Sequence, residues 1–389
     1  MPATNWTVTI NSTSFTSITQ SLSLSVGRAS WFDTPTGNNC TLTVRNNTGQ
    51  AAAISQGDQI VIGNNLSAFV LFFYVVEVTF QDEIAANADT ATITGTDALG
   101  QMSLFYVNDD PVIGYTNAIY QADLIAQEVY PFVPPYPPAT ATNGRATVSD
   151  AFDPTTIGQR VVELLQTENS TYYYDGATIE FRTSAAPGDS LIAFTTNSST
   201  GVVYDGLVRK YPNANYPNVV NLSSTTVGTT YAATPSNYQR NYNRQVLFNT
   251  TAQQQAQTDY FANVLADDSQ VYVDVRFNDV ANNSTPLTTF LNAIGAMSGK
   301  TAQLTYTPPG GEAITSTFVI EGASMSAIPG RTDWIVYLSP RLLYDLFTLD
   351  SSTFGILGGT MVYDTPITYN DAGETYNATA TDNGNRLGW

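Results

Sequence analysis

The sequence predicts a mainly β protein with a few helices, an α+β chain made of two related β-barrel-like domains and an intervening helix–hairpin domain. Three observations lead there. Short runs that alternate apolar and polar residues dominate both the beginning and the later part of the chain. Helical periodicity is confined to a few separate stretches. One hairpin-like pattern from the first hundred residues returns near residue 320 in different letters. The length of 389 residues exceeds what one ordinary core serves, and abundant Thr, Val, Ile and Tyr favour strands.

The N-terminal elements follow in order. "WTVTI", "SITQSLSLSV", "CTLTVRNN" and "QIVIG" keep the two-residue strand period, and "DTPTGNN" and "NNTGQ" supply turns. The run Phe69 to Val76, "FVLFFYVV", is apolar at every position and suits a strand buried on both faces. After the polar "QDEIAANAD" comes "TATITGTDAL". There Asp97 stands where a strand ends and its side-chain oxygen would cap a short helical turn.

Asn117 to Tyr130 has helical spacing at Ile119, Ala122, Ile125, Ala126 and Val129, and "PFVPPYPPAT" then imposes an extended passage. "SDAFDPTTIGQRVVELLQTE" predicts the clearest helix, with Asp153 as N-cap, Pro154 in the first position, and Ile157, Val161, Leu164 and Leu165 on one face. "STYYYDGATIEFRTS" reads as a hairpin turning at Asp175-Gly176. A further helix spans about Thr250 to Leu265, "SQVYVDVRFND" is a strand, and the stretch from Thr288 to Leu338 reads as strands and turns. The tail beyond Ile356 is expected to lie extended. The expected organisation is an N-terminal β-barrel domain (1–101) and a Pro-rich connector (102–147). A helix–hairpin domain (148–245), a second barrel-like domain (246–346) and a tail (347–389) complete it.

The echo pairs "FYVVEVTFQDEIAANADTATITGTDALGQM" with "TFVIEGASMSAIPGRTDWIVYLSPRLLYDL". Each copy has an apolar strand reaching a Glu, Glu77 or Glu321. A turn and a second strand follow, ending at a cap, Asp97 or Ser339. Asp97, Ser339, Asp153, Asp175 and Gly176 are therefore candidates for capping and turn roles.

Composition excludes several chemistries. The chain has no histidine and one cysteine, Cys40. Hydrolases with a His base, His-ligated metals and thiolate clusters are out of reach, and no cofactor or metal site is indicated. No glycine-rich phosphate loop occurs. Carboxylate chemistry stays open among 33 Asp and Glu residues. The net charge of −19 repels nucleic acid and anionic membranes, and no run has the length of a membrane span. The N-terminus lacks the pattern of a signal peptide.

Several segments together resemble the minor tail proteins of long-tailed phages. "ITQSLSLSVGRASWFDTPTGNNCTLTVRNNTGQ", with its Gly27-Arg28 pair, is similar to the family's opening. "ATITGTDAL" resembles the strand that closes its first barrel. "GQRVVELLQTENSTYYYDGATIEFRT" resembles its helix-then-hairpin segment, and "YLSPRLLYDLFTLDSSTFGIL" its closing Ser-Pro segment. The resemblance implies a non-enzymatic virion protein of the tail, made in the host cytoplasm, that closes the distal end of the tail tube as the hub or tip. It implies self-association into a ring, with three chains favoured and six as the alternative. Tube, distal tail and tip or fibre proteins would be its neighbours, and DNA would pass through without specific binding. The distal tail ring protein is a second reading within that assembly. A carbohydrate-binding or carbohydrate-cleaving protein is the alternative from another class.

Overall fold

The computed structural model describes residues 5–107 and 155–340 apart from short internal stretches. It also describes isolated positions between these parts and two short strands, Ile367–Thr368 and Thr375–Tyr376. The N-terminal half forms β1 (Trp6–Ile10), β2 (Thr13–Ser14), β3 (Thr19–Gly27), β4 (Asn39–Arg45), β5 (Gln59–Asn64), β6 (Val70–Gln81) and β7 (Thr90–Thr96), followed by helix α1 (Ala98–Met102). They pair in the order β3-β4-β7-β6-β5-β1-β2. The period-two pattern sets their faces: β4 buries Cys40, Leu42 and Val44 and exposes Asn39 and Arg45.

The middle of the chain holds β8 (Tyr106–Val107), β9 (Thr140–Ala141), β10 (Thr155–Thr156), α2 (Ile157–Glu168), β11 (Thr171–Tyr174) and β12 (Ile179–Arg182). Next come β13 (Ile192–Thr195), β14 (Val202–Val203), β15 (Gly206–Lys210), β16 (Val219–Ser224), β17 (Gly228–Ala233), β18 (Asn241–Gln245) and α3 (Thr251–Ala266). The C-terminal half adds β19 (Tyr272–Asn278), α4 (Ser284–Ile294), β20 (Thr301–Tyr306), β21 (Ile314–Ile328) and β22 (Arg331–Pro340). Helix α4 falls in a stretch whose letters partly predict strands and turns. Its Thr-rich composition favours strands, but Leu287, Phe290 and Leu291 recur at helical spacing and are all buried.

Two separate closed barrels are not what the described strands form. Both halves join in one fourteen-stranded sheet, and the reason is β21. It is 15 residues long, more edge than one neighbour can fill. One edge pairs with β22, while the other is divided, with Ile314–Val319 taking β20 and Gly322–Ala327 taking β3. The C-terminal half also curls. Val202–Val203 pairs with β13, and Gly206–Lys210, a little further along the same chain, pairs with β19.

The divide falls at a bulge between Ile320 and Gly322. Gly322 faces Gly27, and a Cβ there would meet the Val26 carbonyl oxygen and stand 2.7 Å from the Arg28 nitrogen. Gly322→Ala is therefore expected to destabilise the chain by about 1–3 kcal/mol. Gly206→Ala, where the nearest atom would be Arg276 Cβ at 3.6 Å, should change stability by about 0.5 kcal/mol or less. Urea unfolding of the two variants checks the contrast.

The echo is visible in the ladders. One constant displacement in sequence carries Val70 onto Ile314, Tyr74 onto Phe318, Glu77 onto Glu321, Gly95 onto Ser339 and Thr96 onto Pro340. Tyr74 pairs with Thr96 as Phe318 pairs with Pro340. The first strand of each hairpin is bulged at or next to the shared Glu, between Val75 and Glu77 in β6 and between Ile320 and Gly322 in β21.

Two cores lie on either side of β6. Leu71, Phe73 and Val75 face a core shared with α4, where Phe290 meets Trp334 edge-on at 5.1 Å and Phe277 at 5.0 Å. Phe72 and Tyr74 face the other core, built from α1, α2, the β11–β12 hairpin, β16, β18 and α3. The run Phe69 to Val76, predicted to be buried on both faces, is walled by these two cores from Leu71 to Val75. In the connector, Ala118 and Ala122 are helical and buried; the rest of Asn117 to Tyr130 and the Pro-rich passage lie outside the described residues.

Candidate functional site

Two of the joints between segments bury charged and polar groups together. The first is the seam of β3 and β21. The bulge turns Glu321 inward, and Arg28, just past β3, reaches it: Arg28 Nε donates to Glu321 Oε2 at 2.7 Å, with both side chains almost fully buried. The Arg28 backbone N–H also donates to the Glu321 carbonyl at 3.1 Å. Arg244 is buried close by, its guanidinium 5.0 Å from the Tyr242 ring centre and 5.9 Å from that of Phe261. Burial holds Arg244 below the usual guanidinium range, and the Tyr242 phenol opposes this.

The second joint centres on Asp97. Its Oδ1 accepts from the Gly100 N–H at 3.2 Å, the N-cap bond of α1. Its Oδ2 accepts from the Tyr172 hydroxyl of β11 at 2.7 Å. The same hydroxyl accepts from the Asn38 N–H at 3.1 Å and lies 3.1 Å from the Thr36 carbonyl. Asn38 in turn accepts from the Gly27 N–H through Oδ1 at 2.8 Å, and through its carbonyl from the Thr96 hydroxyl at 3.1 Å and the Asp97 N–H at 3.0 Å. Desolvation pushes the Asp97 carboxyl up to about 6, against the bonds from Tyr172, Gly100, Asn38 and Leu99. Burial and the neighbouring carboxylate push the Tyr172 phenol well above its ordinary value.

Chemically, this arrangement holds segments together. Thr96 gives its proton to a carbonyl, and Asp97 is fully occupied in capping and cross-bracing. Among the described residues no group of three or more His, Cys, Asp or Glu is placed to hold a metal ion. Cys40 is buried, and desolvation raises its thiol far above the ordinary value. A cavity between β1, β3 and the Ala327–Pro329 turn measures about 20 Å³, space for a water molecule and not for an organic substrate. No described helix is long and apolar enough to cross a membrane.

The other sequence candidates fare differently. Ser339 lies inside β22, opposite Val319, with its buried hydroxyl lacking a hydrogen-bond partner among the described residues. It matches Gly95 in the first hairpin; the position matching Asp97 is Arg341, outside the described residues. The pairing of Asp97 with Ser339 is thus two residues out of register, because letters alone do not show where the ladder stops. Helix α2 starts at Ile157, and Thr156 Oγ1 accepts from the Gln159 N–H at 3.1 Å, the position expected of a cap. Asp153 lies outside the described residues, as do Asp175 and Gly176, although their flanking strands pair from Thr171↔Arg182 to Tyr174↔Ile179. Arg28 and Tyr172, which complete the joints, are not among the sequence candidates. Gly27-Arg28 and Glu321 stand out in the sequence only separately, and the long-range ladder brings them together.

Compared by sequence, the chain matches no family model and none of the curated proteins. Its fold is that of phage tail proteins. The tail protein from Neisseria meningitidis MC58 superposes with a TM-score of 0.61 at 11% identity, over 87% of this chain and 97% of that one. The 43 kDa tail protein of prophage MuSo2 from Shewanella oneidensis gives 0.54 at 9% identity, over 87% and 97%. A chain of a PdpA–VgrG complex in its lidless form gives 0.50 at 8% identity, over 87% of this chain and 64% of that one.

Proposed function

We propose that this chain is a structural protein of a long-tailed phage virion, the hub or tip component that closes the distal end of the tail tube as a ring around the DNA channel. The supporting observation is the fold, shared with two tail proteins over nearly their whole length. The repeated hairpins add to it, because a chain that carries the same element twice can fill two positions of a ring. Three chains then match sixfold symmetry in the tube above. A net charge of −19 suits a channel wall along which DNA slides, since phosphates find few Lys or Arg partners there. The chain acts without catalysis in this role. The expected domains are the two halves of the sheet, with the helix–hairpin layer between them and β13–β15 assigned to the C-terminal half.

Imaging of purified rings or particles tests this. Three subunits per ring are expected. Six subunits would assign the chain to the distal tail ring, and no ring, together with release of reducing ends from host surface polysaccharide, would favour the carbohydrate reading.

A further inference from the structure

Three strands form a small sheet apart from the large one: β16 pairs antiparallel with β17 and parallel with β18. Alternation sends Leu222 and Thr230 inward beneath α3. There Thr230 shares a 2.6 Å hydrogen bond with Thr258, and Gln254 donates to the Leu222 carbonyl at 2.8 Å. The register sets the alternate residues in rows on the opposite face. Tyr231 lies across from Asn221, and Asn221 from Asn243; Thr229 lies across from Ser223, and Ser223 from Gln245.

This face differs from the rest of the surface in two ways. None of its side chains carries a charge, although the chain has a net charge of −19. Tyr231, in the middle of its strand, is 55% exposed, more than any other aromatic ring among the described residues. The large sheet also turns Ser and Thr residues away from its core, but Glu77, Arg276 and Asp333 interrupt them and no exposed ring stands there. On the small sheet the polar groups are partly pre-set. Asn221 Nδ2 donates to Asn243 Oδ1 at 2.8 Å, and the Thr229 hydroxyl lies 3.4 Å from that of Ser223. The side chains of Asn243 and Gln245 are exposed, which leaves the Asn243 N–H₂ and the Gln245 amide facing solvent.

We propose that this face of β16, β17 and β18 binds a neutral oligosaccharide. A pyranose ring has a C–H face, which packs on an aromatic ring, and a rim of hydroxyls that both donate and accept. Amides and hydroxyls are the side chains that answer such a rim with both functions. Cross-strand neighbours stand about 5 Å apart. A sugar stacked on Tyr231 therefore brings its hydroxyls to Asn221 and Ser223, and the next sugar reaches Asn243 and Gln245. The charge balance selects the ligand. With no Lys or Arg on the face, phosphates, nucleic acid and acidic glycans find no partner. With no carboxylate there, a basic protein finds none either. Tyr231 has no apolar neighbour in either row, so an acyl chain would gain little burial. The inference does not depend on the ring reading, because one chain carries the whole face.

Calorimetric titration of the full chain with maltohexaose, cellohexaose and chitohexaose tests it, with a sulfated hexasaccharide as the charged control. At least one neutral hexasaccharide is expected to bind with a dissociation constant in the millimolar range or tighter, and the sulfated one not to bind. Tyr231→Ala should weaken that binding by about fivefold or more, and Tyr231→Phe should keep most of it. Asn243→Asp retains the acceptor for Asn221 but loses the N–H₂, and should weaken binding about threefold or more. Both positions are exposed, so thermal melts of the variants should match the wild type. Titrations in which no neutral hexasaccharide binds, or in which Tyr231→Ala binds as well as the wild type, would overturn the assignment. So would native mass spectra in which Tyr231→Ala splits an assembly that no sugar affects, since the face would then be a contact between copies.

Discussion

Replacing Glu321 by alanine is expected to destabilise the chain by about 3–5 kcal/mol, more than the loss expected at Gly322 or at Asp97. Arg28 stays buried in that variant without its closest carboxylate, and the nearby Asp33 offsets its charge only in part. The Glu321 carbonyl still accepts from the Arg28 N–H, but the guanidinium loses its 2.7 Å partner. A loss of that size lowers the melting temperature of a chain this long by about 5 °C. The double variant Arg28→Met/Glu321→Leu should recover most of the loss, because apolar side chains of similar volume remove the desolvation problem. Thermal melts of the two variants decide it. An alanine variant that melts with the wild type would show that water reaches the pair. Amide exchange across Gly322–Ala327 should quicken in the alanine variant and return to normal in the double variant, since the ion pair sits where β21 leaves β20 for β3.

This joint explains why one sheet replaces two barrels. A strand of 15 residues that kept a single partner on one edge would leave a row of backbone groups unpaired. In β21 the bulged residue is the Glu itself, which turns inward to Arg28 while the following edge takes β3. In β6 the bulge falls one residue earlier, on Val76, and Glu77 stays in register with Thr94 and exposed.

Much of the fold is legible in the letters. The strands β1, β3, β4, β5 and β7 follow the two-residue alternation, and α3 lies almost where "NTTAQQQAQTDYFANVLADD" places it. The double burial of β6 follows from an unbroken apolar run. What stays hidden is non-local. Nothing near Ile192 tells that β13 pairs with β20, more than a hundred residues later, so the letters do not assign that segment to the C-terminal half. Helix α4 is masked because Thr favours strands while its apolar spacing fits a helix. At the Asp97 joint the cap is readable, since an Asp after a strand and before an apolar turn has one common use. Tyr172 is not: in sequence it is one of three consecutive tyrosines, and only packing selects it.

Tyr172 changes what Asp97 should do with pH. In the unfolded chain the carboxyl titrates near 3.8, and in the native chain burial pushes it up to about 6. Between those values the native state holds the proton and the unfolded state has lost it. Stability from this group is therefore greatest at pH 4 and below, falls as the pH rises through 6, and is constant above. At about 1.4 kcal/mol per unit, the whole change is roughly 3 kcal/mol. Asp97→Asn keeps an acceptor for the Gly100 N–H and offers an N–H₂ to the Tyr172 oxygen, whose proton can turn to the Thr36 carbonyl. It should abolish this pH dependence and leave the chain at least as stable as the wild type at pH 7.5. Asp97→Ala loses both bonds and should cost about 2 kcal/mol near pH 5, with the deficit shrinking at higher pH as the wild type takes on its buried charge. Urea unfolding of the three chains at pH 4.5, 6 and 7.5 reads the differences directly. If the asparagine variant keeps the wild-type slope between pH 4.5 and 6, Asp97 is not the group that carries it. The outcome matters for the reading of the joint, because a carboxylate held for bracing can be replaced by its amide without loss, whereas one held for proton transfer cannot.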